Sequence, residues 1–351
     1  MSYVKDMVDK KSIRYIENYV SSLSEPTKNY FDKLFEVIPV TGSVELTPEM
    51  GPWVKKTFGD PSRVEEQHII RIRNRLTEDT ALFNDVRSSR PLESTSTVAI
   101  EDVVKTARDP FQEPFTNTPL DEQGRITGEY TTTSANVAKY DGHHSLIIFD
   151  EPNPYNISRP ACVESIQTAF EWFDRVGEGH PFLMWNCLWK SGASVVHTHM
   201  QMTMAKRKPY RYVRSVKKAN EEAVSSIDTE YLDAWRVVHR SLGLSKTCEF
   251  GEVFCSLTPV KEKELVCFPA DTSPETIGSL LHQVKETYLS IGVQSFNMAL
   301  YVSEEGVPSH LRFVDRGKLD KKTTDFGGVE VFAGEKVIGS DPYKVIRSLN
   351  L

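Results

Sequence analysis

No pair of cysteines in this 351-residue chain has C-x-x-C spacing: the five stand at positions 162, 187, 248, 255 and 267. An odd set without ligand spacing makes neither a disulfide framework nor a thiolate zinc site, and it reads as reduced thiols in a cytosolic protein. Also missing is any apolar run near the ~20 residues that span a bilayer. The opening MSYVKDMVDKKS lacks the apolar stretch of a secretory signal. The expectation is a cytoplasmic protein with no membrane partner. A basic excess is lacking too. The formal net charge of −7 speaks against nucleic acid as the main partner. It leaves room for a nucleotide, which needs only a few local cations and N–H groups.

What is there is ordinary globular composition, 39% hydrophobic and 26% charged. The length suits two or three domains, or one large duplicated one. Ile13, Ile16, Tyr19 and Val20, then Tyr30, Leu34 and Val37, recur at helical spacing. They predict helices over residues 1 to about 38, broken at Ser24-Glu25-Pro26. Residues 68–86 read as two strands joined by a polar turn, with Ile70 and Ile72 alternating with Arg71 and Arg73. From Leu92 to about Glu129 the chain is polar and reads as a long, functional loop.

Beyond it the texture changes. His144 to Phe149 reads as a buried strand, residues 160–176 as a helix striped by Val163, Ile166, Phe170 and Phe173, and Pro181–Trp185 and His197–Met204 as strands. The second half repeats this loosely: Val253–Leu257 and Leu265–Phe268 as a hairpin, a helix capped by Ser273 with Ile277, Leu280, Leu281, Val284 and Tyr288 on one face, then strands at Phe296–Val302 and His310–Val314. The fold class is α+β, and an internal duplication is consistent with the pattern.

The chemistry gathers in Ser191-Gly192-Ala193-Ser194-Val195-Val196-His197-Thr198-His199-Met200-Gln201. On a strand, His197, His199 and Gln201 at i, i+2 and i+4 share one face. The glycine and serines before them suit close backbone approach to a phosphate. Two imidazoles could share a metal ion, but a stable zinc site wants further ligands. Alternatively, a neutral imidazole attacks phosphorus while a neighbouring acceptor fixes its tautomer. Glutamine is a poor zinc ligand and a good donor to a phosphoryl oxygen, which favours phosphoryl chemistry. A plain polar strand face is the bland alternative.

This stretch, with Trp185, Asn186 and Lys190 before it, resembles the active-site segment of the galactose-1-phosphate uridylyltransferase family, whose relatives include diadenosine tetraphosphate phosphorylases and nucleotide-sugar phosphorylases of the histidine-triad superfamily. The resemblance runs roughly over residues 65–351. It implies two tandem histidine-triad-like halves, 65–207 and 208–351, with mixed, mainly antiparallel sheets behind an N-terminal helical extension, 1–64. It implies His199 as nucleophile, with His197 and Gln201 beside it. Asn186, Gly192 and Ser194 would bind the nucleotidyl phosphate. Val86-Arg87-Ser88-Ser89-Arg90-Pro91 resembles the family's R-x-x-R-P segment, which makes Arg87 and Arg90 a phosphate clamp. Asn136 falls where the family has a nucleoside contact, Lys190 is a further phosphate candidate, and Phe326 to Glu330 resembles a closing segment.

The chain also departs from the family. Its uridylyltransferases often hold zinc with a C-x-x-C pair and the first histidine of the motif, and no such pair exists here. An iron-binding H-x-H has only His310 left, with Arg312 in the second place, free for a substrate phosphate. No metal and no cofactor are therefore expected. The partners expected are a nucleotide and a phosphate or phosphate-bearing acceptor, and family members are often homodimers. Transfer to a phosphate, hydrolysis by water, and non-catalytic nucleotide binding are the three functional classes that remain, and an assay with and without phosphate separates the first two.

Overall fold

In the computed structural model, which describes residues 11–88, 98–321 and 324–351, the chain is built on a nine-stranded sheet in which every neighbouring pair is antiparallel. Three strands of a smaller sheet come first: β1 (Phe35–Ser43), β2 (Glu66–Asn74) and β3 (Thr80–Phe83). The large sheet follows with β4 (Thr131–Ala135), β5 (His143–Phe149), β6 (His180–Cys187), β7 (His199–Ala205), β8 (Ser245–Cys248), β9 (Gly251–Cys255), β10 (Leu265–Pro269), β11 (Phe296–Tyr301) and β12 (His310–Asp315). A last strand, β13 (Val337–Ile338), joins β3 in the small sheet in parallel. The principal helices are α1 (Glu25–Leu34), α2 (Arg159–Val176), α3 (Arg211–Ile227), α4 (Tyr231–Leu242) and α5 (Pro274–Ser290). No helix among the described residues is long and apolar enough to cross a membrane.

The large sheet runs β4-β5-β7-β6-β11-β12-β10-β9-β8. Its two halves share one connectivity: strand, helix, strand, strand, first as β5-α2-β6-β7 and again as β10-α5-β11-β12. They meet edge to edge at β6 and β11, where Asn186 lies opposite Asn297. The duplication that the sequence only hinted at is thus plain in the topology.

Period-two alternation splits the sheet into two faces. Ile147, Met200, Met202, Leu183, Trp185, Phe296, Met298 and Phe313 are buried in one apolar core with the stripes of α2 and α5. Ser158 caps α2 by accepting the Ala161 N–H, and Ser273 caps α5 by accepting the Thr276 N–H. The two helices touch so closely that a Cβ at Gly278 would sit 2.4 Å from the Val163 Cα. The opposite face mixes polar side chains with apolar and aromatic ones, and the two halves treat it differently. Over the second half, α3 and α4 cover it, with Tyr212 against Tyr301 and His310, and Trp235 against Phe254 and Phe268. The site lies on this face in the first half.

Two readings of the sequence need correction. Helix ends at Leu34: Val37 lies in β1, which pairs residue for residue with β2 from Phe35 opposite Asn74 to Ser43 opposite Glu66. A short apolar run cannot distinguish helix from strand by spacing alone, and the partner strand decides. The loop after Leu92 also contains short helices at Ile100–Thr106 and Pro114–Asn117.

Replacing Gly278 with alanine should force α2 and α5 apart and lower stability by about 1–3 kcal/mol, the usual cost of overpacking; an unchanged denaturation midpoint would contradict the close crossing. Acid should also weaken the fold. Burial pulls His239 down to about 3 and His310 to about 4. Unfolded histidine takes up its proton near about 6.5. Stability is therefore complete above that pH and lost as pH falls toward the two folded values, by up to about 1.4 kcal/mol per pH unit for each ring. Urea melts at pH 7 and pH 5 should show the drop.

Candidate functional site

The strand carrying the motif begins at His199, two residues later than the sequence spacing implied. Thr198 bends away: its N–H and hydroxyl both donate to the Pro152 carbonyl. His199 and Gln201 do share a face, opposite Ile148 and Leu146 of β5. His197 stands before the strand. Its Nδ1 lies 2.7 Å from the Asp109 carboxylate and its Nε2 lies 2.6 Å from the Phe149 carbonyl. These partners turn its ring out of the strand's alternation.

His199 is 6% exposed, and its Nδ1 donates to the His197 carbonyl at 2.8 Å. That bond fixes the tautomer and leaves the lone pair on Nε2, which has no protein partner among the described residues. Burial pulls its pKa below the ordinary histidine value, against the hydrogen bond to His197 and with the charge of the His197 ring. The ring is thereby kept neutral. Phe111 stands edge-on to both imidazoles and packs with Leu146, Ile148 and Val195, an apolar wall beside the motif.

Gln201 is oriented by its neighbours. Its Oε1 is 2.9 Å from His144 Nε2 and accepts from the Tyr140 hydroxyl at 3.1 Å. The Tyr140 N–H points at His144 Nδ1, 3.4 Å away, which puts the His144 proton on Nε2. The amide NH2 of Gln201 is left to donate elsewhere. Asn136 lies beside these groups, its Nδ2 3.1 Å from His144 Nε2, and its Oδ1 accepts the Ala138 N–H. Asn186 is set in a similar way: Asn297 donates to its Oδ1 at 2.7 Å and to the Ser191 carbonyl at 2.9 Å. Arg316 donates in turn to Asn297 Oδ1 and is clamped by Asp325.

Gly192 closes the turn after Trp189–Ser191 at a φ of 97°, a conformation that favours glycine. Beyond it Ser194 is exposed. The N–H groups of Ser194, Val195 and Val196 donate to no acceptor among the described residues. Such a run of free donors suits an anion.

Arg87 is exposed on the short helix Asp85–Ser88 that follows β3, with no hydrogen bond to the motif among the described residues. Arg90 lies outside the described residues. Arg312 is corrected: its guanidinium is largely covered, stacked on the Tyr212 ring and bonded to the buried Glu264 carboxylate, so it is not free for a phosphate. The zinc ligand set does not fit either. Both His197 nitrogens face acceptors, and burial raises the thiols of Cys162, Cys187, Cys255 and Cys267. No group of three or more metal-ligating side chains exists among the described residues.

Reading the sequence missed Asp109, Phe111, Tyr140 and Asn297. It gave His144 mainly a core role. Only the adjacency of Asp109-Pro110-Phe111 to the motif in space marks them, and the sequence does not carry that.

The fold has counterparts among solved structures. The ADP-glucose phosphorylase of Arabidopsis thaliana, in a structure with bound ADP-glucose, superposes with a TM-score of 0.58 at 15% identity over 80% of this chain and 98% of that one. The chain has the uridylyltransferase fold. A GalT-like protein from the same plant gives 0.57 at 14% identity, again over 80% and 98%. A uridylyltransferase gives 0.54 at 14%, over 80% of this chain and 96% of the other. No protein-family model and no curated protein matches the sequence. In the large sheet, His199 and Gln201 lie on β7, between β5 and β6.

Replacing Asn297 with alanine removes the donor that sets Asn186. It is expected to cost about 1–2 kcal/mol of stability, measured by denaturant melts. An unchanged melting midpoint in Asn297→Ala would mean that these bonds add nothing to the fold.

Proposed function

We propose that the chain is a nucleotidyltransferase or phosphorylase that acts on a nucleotide sugar or dinucleoside polyphosphate through a covalent nucleotidyl-histidine. The observation that carries this reading is the His199 ring: buried, neutral, with Nδ1 tied to the His197 carbonyl and Nε2 free.

In the first step the Nε2 lone pair attacks the α-phosphorus. An N–P bond forms, the bond from phosphorus to the leaving oxygen breaks, and that oxygen departs with the electron pair on a sugar 1-phosphate or nucleoside polyphosphate. In the second step a phosphate oxygen of the acceptor attacks the same phosphorus and the N–P electron pair returns to Nε2. Charge on the non-bridging oxygens would be met by the Gln201 and Asn186 amides, the Ser194 hydroxyl and the free N–H groups after Gly192, with Lys190, Arg87 and Arg90 as further cations. The two amides face the right way because their oxygens are already occupied. His197 packs and orients. The apolar wall of Phe111, Leu146 and Ile148 keeps water from the phosphorus.

Nucleotide sugars and dinucleoside polyphosphates, each with and without phosphate, form the screen that finds donor and acceptor. With the right donor and no acceptor, intact-protein mass spectrometry should show one acid-labile nucleotidyl group. His199→Ala should lose that adduct and about a thousandfold or more of the turnover while still binding nucleotide, and His197→Ala should be milder. Full activity in His199→Ala would leave direct displacement as the mechanism. Because His199 must be unprotonated to attack and burial lowers its pKa, adduct formation should persist as pH falls below about 6.5, where an ordinary histidine protonates, and fail only lower. An acid limb at or above the ordinary value would contradict the burial argument.

A further inference from the structure

We infer that Asp109 is a positioning residue for the nucleophile: through a doubly protonated His197 it holds His199 in the tautomer that keeps a lone pair on Nε2. The inference rests on the nucleotidyl-transfer reading for its consequence, but its structural content does not.

Two acceptors face the His197 ring, one at each nitrogen. His197 Nδ1 faces the Asp109 Oδ2 at 2.7 Å, and Nε2 faces the Phe149 carbonyl at 2.6 Å. Neither a carboxylate nor a carbonyl can donate, so both nitrogens must carry hydrogen. A ring with two N–H groups is an imidazolium, and here it is ion-paired with Asp109 in a residue only 7% exposed. Charge-assisted bonds of this kind are the strong ones. Removing one partner would leave the other buried and uncompensated.

Pinned at both ends, the His197 ring cannot turn, and the backbone that carries it is fixed with it. The carbonyl of that same residue accepts the His199 Nδ1–H. Asp109 is itself held, because its Oδ1 accepts the Phe111 N–H at 2.9 Å, and the Phe111 ring presses on both imidazoles. The turn Asp109-Pro110-Phe111 therefore clamps the pair from outside the sheet. The result is also electrostatic. Charge on His197 disfavours a second charge on the His199 ring beside it.

The test uses the full chain labelled with 15N-histidine and no substrate. At neutral pH the wild type should show both His197 N–H groups and a single His199 tautomer with hydrogen on Nδ1, the resonances assigned with His197→Gln and His199→Gln. Asp109→Asn, nearly isosteric, should lose one His197 N–H and give His199 as a mixture of tautomers, with Asp109→Glu restoring the wild-type pattern in part. Only one His197 N–H in the wild type, or an unchanged His199 tautomer in Asp109→Asn, overturns the inference. If Asp109→Asn does not fold, Asp109→Ser takes its place and is read by the same outcomes: a mixture of His199 tautomers supports the inference and an unchanged tautomer overturns it. A second arm uses ADP-glucose as the donor probe. The rate of adduct formation should fall about 10- to 100-fold in Asp109→Asn, the usual effect of losing a partner that orients a reactive group, with ADP affinity within about threefold of wild type. If wild type forms no adduct with any donor, the nucleotidyl-transfer reading fails while the spectra still decide on Asp109.

Discussion

The hydrogen bond from His199 Nδ1 to the carbonyl of His197, 2.8 Å long, decides which ring nitrogen keeps a lone pair. Much of the first half's geometry serves that bond. The carbonyl can reach back to a side chain two residues on only if the chain leaves the extended conformation between them. Thr198, tethered twice to the Pro152 carbonyl, makes that departure. The strand can then start at His199, which places Gln201 on the same face against His144 and Tyr140. One backbone bend thus sets the His199 tautomer and the place of the Gln201 amide together.

The second half repeats this construction with other chemistry. His310 Nδ1 lies 2.8 Å from the Pro308 carbonyl, the counterpart of His199 on His197. Its Nε2, however, is met by the Tyr212 hydroxyl at 2.9 Å, and the ring is buried beneath α3. Where the first half pairs Gln201 with His144, the second pairs Arg312 with Glu264, a buried ion pair in place of two neutral side chains. Such a pair is strongly destabilised by the loss of either member, so Arg312 holds the second half together and is not available to a ligand. The two helices that cover this face, α3 and α4, come from the segment between the two repeats.

How much of this was legible in the sequence follows from the range of the forces involved. The spacing of His197, His199 and Gln201, the serine caps at 158 and 273, and the stripes of α2 and α5 are local patterns, and the structure places the elements close to where those patterns put them. Val37 failed as a helical residue because β2, about thirty residues on, supplies a partner that no window around Val37 contains. His197 failed as a strand residue because Asp109, far away in sequence, takes its ring. Arg312 was read as free because Glu264 and Tyr212, its buried partners, are not near it in the chain. His144 looked like a core residue and is one by burial, yet its Nε2 faces Gln201. Charged and polar residues meet across the sheet by register, and register is a tertiary fact.

The half without the motif still shapes the site. Asn186 belongs to β6, but its amide is oriented by Asn297 on the adjacent β11, across the seam between the halves. Asn297 is set by Arg316, and Arg316 by Asp325 in the segment after β12. An amide with its oxygen occupied must present its NH2 to whatever lies in front of it, so the direction of a donor in the first half is fixed by an ion pair in the second. The same partner also donates to the Ser191 carbonyl and so anchors the turn that presents Gly192 and Ser194. A single half could form the strand that carries His199 and Gln201. It would lack the seam that fixes Asn186 and the serine turn, which gives a physical reason for the two repeats to share one continuous sheet.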